Sequence, residues 1–177
     1  MANSTTQQRP TAEQVARYLI KIANEEQERI LQDGDDLFPK DTLSSEQLTH
    51  LKLQKLLYFA QAVNLAVKKQ PLFDDKFEAW KLGPVSREVY TVFANFKNKP
   101  IPSNEGSDVG LDDGTKELLN EVWKTFGKFS APQLVDMTHR HTPWLNAVDT
   151  KDKIIDEGEM ITFYTPLFVS DDQPVSS

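Results

Sequence analysis

The most apolar segment of the chain is residues 49–69, where apolar side chains occupy more than one side of a helix. These residues are Leu53, Leu56, Leu57, Ala60, Val63, Ala66 and Val67. A helix that is apolar over so much of its circumference packs against neighbours on several sides. Pro71 prevents the helix from continuing. We therefore predict a buried central helix over residues 49–69.

A second periodic segment precedes this helix. From Thr11 onward, apolar residues recur with the spacing of an amphipathic helix. They are Val15, Leu19, Ile22 and Ile30. Thr11 is a suitable N-cap, and the Asp-Gly-Asp-Asp run at 33–36 followed by Pro39 predicts an end near Gln32. A polar connector at 40–47 then leads to the central helix.

The segment after the central helix changes period. Residues 76–82 carry aromatics on opposite faces and predict a short strand, and Gly83-Pro84 predicts a turn. A helix should open at Ser86 or the residue before it. Its apolar face would contain Val85, Val89, Val92, Phe93 and Phe96. Residues 103–110 are rich in Gly, Ser, Asn and Asp and predict a mobile loop.

Capping signals mark the C-terminal helices. One helix should begin at Asp112 or Asp113, either of which is a suitable N-cap. The same helix should end at Gly127 in a left-handed conformation. The run Ser-Ala-Pro-Gln at 130–133 fits a capping box at the start of the next. Residues 157–163 form a last apolar-periodic segment.

These elements predict a mainly α protein. The expected architecture is a compact helical domain around a buried central helix, with a small β element near residues 76–85. We divide the chain into an N-terminal helical extension and connector at 1–48, a domain at 49–165 and a flexible tail at 166–177.

Composition narrows the possible functions. The 177 residues include no cysteine, which excludes disulfides, thiolate metal sites and cysteine nucleophiles. Lys and Arg number 20 against 27 Asp and Glu, so the formal net charge is −7. Because an acidic chain is repelled by phosphate backbones, nucleic acid is an unlikely partner by charge.

Neither a membrane span nor a secretion signal is visible. No apolar run approaches the roughly 20 residues that a bilayer requires, and the polar N-terminus lacks the apolar segment of a signal peptide. We therefore predict a cytoplasmic protein without membrane contact.

The candidate chemistry is sparse. His139, His141 and Asp136 could hold a metal ion, but histidines two residues apart do not share a helix face. A polar helix end, where a histidine caps carbonyl groups, is the favoured alternative. The chain lacks Gly-x-Ser-x-Gly, a phosphate-binding glycine loop and His-Glu-x-x-His. We predict no catalytic residues, no cofactor and no metal.

A candidate contact surface lies around the Gly83-Pro84 turn. It comprises Arg87, Tyr90, Lys81, Glu78 and Trp80. Tryptophan, tyrosine and arginine dominate the energetics of protein–protein contacts. Large aromatics are also mostly buried, so a core position for Trp80 stays open, and Arg87 and Tyr90 are the better surface candidates.

Several sequence blocks resemble a known family. The Panacea domain of SocA-like antitoxins and phage-associated GepA-like proteins is similar to this chain from about Thr49 to Phe163. The matching blocks are Thr49-His-Leu-Lys-Leu-Gln-Lys-Leu-Leu-Tyr-Phe-Ala-Gln61, Pro71-Leu-Phe-Asp-Asp75, Phe77-Glu-Ala-Trp-Lys-Leu-Gly-Pro-Val85, Glu88-Val-Tyr90, Leu134-Val-Asp-Met-Thr-His139 and Pro143-Trp144. Their order and spacing are more specific than any single block.

The resemblance implies a helical domain that binds a toxin encoded by an adjacent gene and holds it inactive, without being an enzyme. Three alternatives stay open. The first is an adaptor or regulator on a mobile element, including a protease adaptor, that does not neutralise a toxin. The second is a metal-dependent hydrolase that uses the histidines, and the third is a protein that binds operator DNA.

Overall fold

The computed structural model describes residues 8–32 and 48–170, which contain seven α-helices and one two-stranded antiparallel sheet. The helices are α1 (Ala12–Gln32), α2 (His50–Lys68), α3 (Arg87–Phe93), α4 (Asp113–Phe126), α5 (Ala131–Arg140), α6 (Thr142–Val148) and α7 (Glu157–Phe168). The strands are β1 (Phe77–Trp80) and β2 (Gly83–Ser86). Short 3₁₀ turns follow at 94–96 and 103–105. The predicted mainly α class is confirmed.

Helix α2 is the centre of the molecule. Helices α1, α4, α5 and α7 and strand β2 all pack against it. Leu53, Leu56 and Leu57 are fully buried, and Phe59 stacks on Phe126 with ring centroids 4.2 Å apart. Each such side chain contributes about 1.5–3 kcal/mol through its burial. The prediction of a buried central helix is therefore confirmed.

The predicted helix starts are confirmed by their side-chain caps. Thr11 and Gln14 exchange hydrogen bonds of 3.1 and 2.8 Å at the start of α1. Ser130 and Gln133 form the predicted capping box of α5. Asp112 accepts the hydrogen bond that caps α4. Helix α1 ends as predicted, whereas the turn at 33–36, Pro39, the connector at 40–47 and both chain ends (1–7 and 171–177) lie outside the described residues.

The predicted turn at Gly83-Pro84 is wrong. The chain reverses at residues 81–82, and Gly83 begins β2 with a φ of +92°. Pro84 is tolerated in the strand because Ala79, its partner across the sheet, donates its N–H to Lys153 on the opposite side. The pair therefore has no ladder hydrogen bond for the proline to break.

The outer edge of β1 is covered by the chain segment at 153–155. The Ala79 N–H donates to the Lys153 carbonyl over 2.7 Å, and the Ile155 N–H donates to the Phe77 carbonyl over 2.9 Å. An uncovered edge would invite pairing with another chain. On β1 that edge is already occupied, so it is not open to pairing with a strand of another chain.

The loop at 103–110 begins with a 3₁₀ turn and contacts α1. Its predicted mobility stays a prediction. Arg17 forms an ion pair of 2.9 Å with Glu105, and Lys21 forms one of 2.9 Å with Asp108. The Ser107 N–H also donates to the Arg17 carbonyl over 3.1 Å. The composition of the segment is typical of loops, but its charges are matched to those of the distant helix.

Two predictions at helix ends also need correction. Gly127 has a right-handed φ of −61°, so its backbone does not require glycine. Its small size does matter, because an added Cβ would lie 2.8 Å from a carbon of the Trp123 indole. Helix α7 continues past residue 163, where its last turn is held by Phe168 packing on Phe126 and Tyr164. Its final residues overlap the tail predicted from residue 166.

None of the described helices combines the length and the apolar character that crossing a membrane requires.

Candidate functional site

The structure gathers the five predicted contact residues at one corner of the fold. Glu78 and Trp80 lie on the same face of β1, Lys81 lies in the following turn, and Arg87 and Tyr90 lie on α3. We call these five residues the hairpin platform. Alternation along the strand places the first two side chains together, and the short hairpin brings α3 back beside them.

A shared carboxylate organises the hairpin platform. Glu78 accepts hydrogen bonds from Arg87 Nε (2.9 Å), Arg87 Nη2 (2.8 Å) and Trp80 Nε1 (2.7 Å). The Arg87 contact is bidentate, which fixes the plane of the guanidinium. Hydrogen bonding to Arg87 lowers the pKa of Glu78 despite partial burial. The carboxylate is therefore an ionised anchor for its two neighbours.

The aromatic part of the platform is continuous and partly exposed. The Arg87 guanidinium carbon lies 5.7 Å from the centre of the Trp80 ring, within the range of a cation–π contact. The Trp80 and Tyr90 rings are 4.9 Å apart, and Tyr90 in turn lies 5.0 Å from buried His50. Tyr90 is 39% exposed and Trp80 is half-buried. Trp80 therefore lies at the boundary between the core and the surface, with part of the residue exposed.

Polar side chains of α2 hold the platform from below. Gln54 accepts from the Ser86 N–H over 2.8 Å and donates to the Ser86 carbonyl over 3.2 Å. Lys55 donates to the Pro84 carbonyl over 2.7 Å. Both side chains are almost completely buried. They complete the hydrogen bonding of the inner edge of β2, which has no neighbouring strand on that side among residues 8–32 and 48–170.

Lys55 is unusual because it is fully buried without a carboxylate among its described partners. Burial lowers its pKa to about 7, since an ammonium group loses its hydration inside the protein. Sequence reasoning missed both Gln54 and Lys55. The available signal was their position on a helix that is apolar on several sides, where a polar residue has to find a buried partner.

The histidine alternative is not assembled in the structure. His141 Nδ1 lies 2.8 Å from the Tyr164 hydroxyl, while the His139 ring stacks on Trp144 at 4.1 Å. Asp136 forms an ion pair of 2.6 Å with Arg140. Over residues 8–32 and 48–170, no group of three or more His, Asp or Glu side chains converges as a metal site would require.

The fold and the platform together define a mainly α domain with a preformed surface of the type found in protein–protein contacts. The family described as "Antitoxin SocA-like, Panacea domain" matches residues 53–145, which is more than half of the chain. The protein belongs to this family, and the resemblance seen in the sequence is confirmed. The whole hairpin platform and the α2 residues beneath it lie within the matched segment.

A curated relative supports the assignment. The protein is 38% identical over 109 residues to Antitoxin SocA of Caulobacter vibrioides (strain NA1000 / CB15N). That alignment covers 55% of this chain and 58% of the relative, so the chain spans little more than half of the relative's length. No solved structure matches the chain.

Proposed function

We propose that this protein is an antitoxin that neutralises a cognate toxin, encoded by a neighbouring gene, through direct protein–protein binding. The hairpin platform is the proposed contact surface. Membership of an antitoxin family supports the general role. The observation that carries the surface is the exposed arrangement of Arg87, Trp80 and Tyr90 around the Glu78 carboxylate.

The platform is suited to binding because it is rigid before a partner arrives. A bidentate ion pair orients Arg87, and two buried α2 side chains hold the strand that precedes it. Preorganised side chains lose less conformational entropy on association. Three donors already occupy the Glu78 carboxylate, so it is poorly placed to act as a general base. We therefore propose a cytoplasmic binding protein and not an enzyme.

We expect Arg87→Ala and Tyr90→Ala each to weaken binding to the adjacent-gene product about tenfold or more, as residues central to protein contacts do. The melting temperature of Arg87→Ala should change by less than about 3 °C, because a solvent-exposed ion pair contributes little to stability. Arg87 has a side chain 69% exposed. Calorimetric titration and thermal unfolding measure the two quantities.

Lys124→Ala is the matched control, because its side chain is 70% exposed and lies on α4. It should leave affinity unchanged. Co-expression with the adjacent gene then tests neutralisation, which predicts rescue of growth arrest. Failure of rescue by a protein that binds normally would favour the adaptor alternative. A large loss of stability in the Arg87 or Tyr90 variants would assign these residues to the fold.

A further inference from the structure

Arg87 has hydrogen-bonding capacity that the protein itself does not use in the Glu78 contact. A guanidinium carries five N–H donors. Glu78 takes one from Nε and one from Nη2, and the Arg87 side chain is 69% exposed. The second N–H of Nη2 and both N–H groups of Nη1 are therefore available on a side chain whose plane is fixed.

Within the platform, which lies wholly in the described part of the chain, no carboxylate is left without a hydrogen-bond donor. Lys81 is exposed in the adjoining turn. Glu78 is the only carboxylate of the platform and is occupied by three donors. The next carboxylate along α3, Glu88, lies outside the platform beside a second carboxylate, Asp75, and its hydrogen bond with Asp75 raises the pKa of Glu88. Within the platform of this acidic protein, with its net charge of −7, two cationic side chains, Arg87 and Lys81, stand against one carboxylate, and the half-buried Trp80 and the partly exposed Tyr90 lie beside Arg87.

We propose that the hairpin platform recognises a carboxylate side chain of the partner protein, held by the free N–H groups of Arg87 while Lys81 adds a second positive charge. An apolar group next to that carboxylate would pack on Trp80 and Tyr90. This inference rests on the proposed function and specifies the chemistry of the contact. Arginine suits such a role because its planar donors match both oxygens of a carboxylate.

Glu78 has a distinct part in this scheme, as a positioning residue. Its carboxylate would repel an acidic partner if it acted only through its charge. Because it orients both Arg87 and the Trp80 indole, its loss should disorder the donors that the partner uses. The two effects have opposite signs, so Glu78→Gln distinguishes them. Weaker binding supports alignment, and tighter binding overturns it.

A phosphate backbone is the competing occupant, since it too accepts hydrogen bonds from arginine. The net charge of −7 opposes approach to a polyanion, whereas a single carboxylate on a protein surface meets only the local cationic cluster. The aromatic rings next to Arg87 also favour a protein partner, since aromatic residues and arginine are enriched together in protein–protein interfaces.

The test is calorimetric titration of the full chain with the purified product of the adjacent gene. We expect Arg87→Gln to weaken binding about 10–100-fold, and Arg87→Lys to recover little of the loss. Lys81→Gln should weaken binding a few-fold and reduce its dependence on salt between about 0.05 and 0.3 M. Lys124→Gln is the control for removal of a distant positive charge and should bind like the unmodified protein.

The outcomes separate this inference from the proposed function. If the unmodified protein does not bind the toxin, the proposed function fails. If it binds and Arg87→Gln binds equally well, only the carboxylate contact is overturned. Competition by a short DNA duplex that is lost in Arg87→Gln would assign the platform to phosphate and overturn the inference. A charge swap tests the contact directly. If Arg87→Glu abolishes binding, and a partner with one acidic residue replaced by arginine binds that variant again, the carboxylate contact is supported.

Discussion

Gly83→Ala is expected to lower the free energy of unfolding by about 2–5 kcal/mol. Gly83 has a φ of +92°, a conformation that costs a residue with a Cβ about 1–2 kcal/mol. An added Cβ would also lie 2.7 Å from Lys55 Cε and 2.7 Å from Thr138 Oγ1. Overpacking of this kind costs a further 1–3 kcal/mol, by typical core substitutions.

The neighbours of Gly83 cannot easily move away. Lys55 is completely buried and donates to the Pro84 carbonyl, while Thr138 is completely buried and donates to the Val135 carbonyl over 2.8 Å. Any displacement of Lys55 would break the only hydrogen bond between α2 and the Pro84 carbonyl seen in the described chain. Strain at Gly83 is therefore coupled to the support of the whole hairpin.

Gly114→Ala is the matched control for Gly83→Ala. Gly114 lies in the first turn of α4, has an ordinary φ, and its added Cβ would meet only Asp112 at 3.4 Å. Alanine favours a helix over glycine by up to about 1 kcal/mol, so this variant should be neutral or slightly stabilised. Urea unfolding compares the two proteins. A loss below about 1 kcal/mol for Gly83→Ala would contradict the predicted crowding.

The helical part of the fold was predictable because its signals are local. The side chains of the N-caps Thr11, Asp112 and Ser130 each accept a hydrogen bond from the backbone N–H three residues later. A spacing this short can be recognised in the sequence. The apolar positions of α2 likewise need no tertiary information to indicate burial. Helix starts therefore agree closely with the structure, whereas the end of α7 depends on distant aromatic packing that no local pattern shows.

The hairpin was harder to predict because distant residues determine its geometry. The Gly-Pro pair at 83–84 normally marks a turn. In this protein the pair begins a strand instead. The buried Lys55, 29 residues away in sequence, donates a hydrogen bond to the carbonyl of Pro84 in that strand. The contacts of the loop at 103–110 could not be predicted for the same reason, because its partners Arg17 and Lys21 are distant in sequence.

The candidate site shows the same division. The residue types typical of protein contacts identified the platform, and the structure brings Glu78, Trp80, Arg87 and Tyr90 into contact. The ion pair between Glu78 and Arg87 spans a strand, a turn and a helix start, so its geometry could not be read from spacing. The partner-binding role of these residues stays a prediction.

The second large effect is expected in the pH dependence of stability, and Lys55 is its cause. Burial lowers the pKa of Lys55 to about 7 in the folded protein, against an ordinary value of 10.5. Between these two pH values the unfolded chain binds one proton more than the folded protein. The free energy of unfolding should therefore rise with pH, by up to about 1.4 kcal/mol per pH unit.

The informative window lies between the titrations of other buried groups. Burial lowers the pKa of His50 and of His141 below their ordinary 6.5, so these residues add to the loss of stability as the pH falls below that value. Burial raises the pKa of Tyr58 and of Tyr164 above their ordinary 10, so stability should fall once the pH exceeds 10. From about pH 7.5 to 9.5, the proton that Lys55 loses on folding should make the stability rise with pH. Lys52, a second buried lysine of α2, donates to the Gly127 carbonyl over 2.7 Å and is present in every variant compared.

We expect the free energy of unfolding to increase by about 2 kcal/mol from pH 7.5 to 9.5, measured by urea unfolding at fixed ionic strength. Lys55→Met keeps the length and apolar stem of the side chain but removes its titrating group, so the stability of this variant should rise much less with pH over this window. Lys68→Met, at the exposed end of the same helix, should retain the slope of the unmodified protein. An equal slope in the Lys55→Met variant would show that the buried amine is not the source. A retained slope in Lys68→Met, together with its loss in Lys55→Met, would establish that the support beneath the hairpin platform is an amine that folding holds largely uncharged above neutral pH.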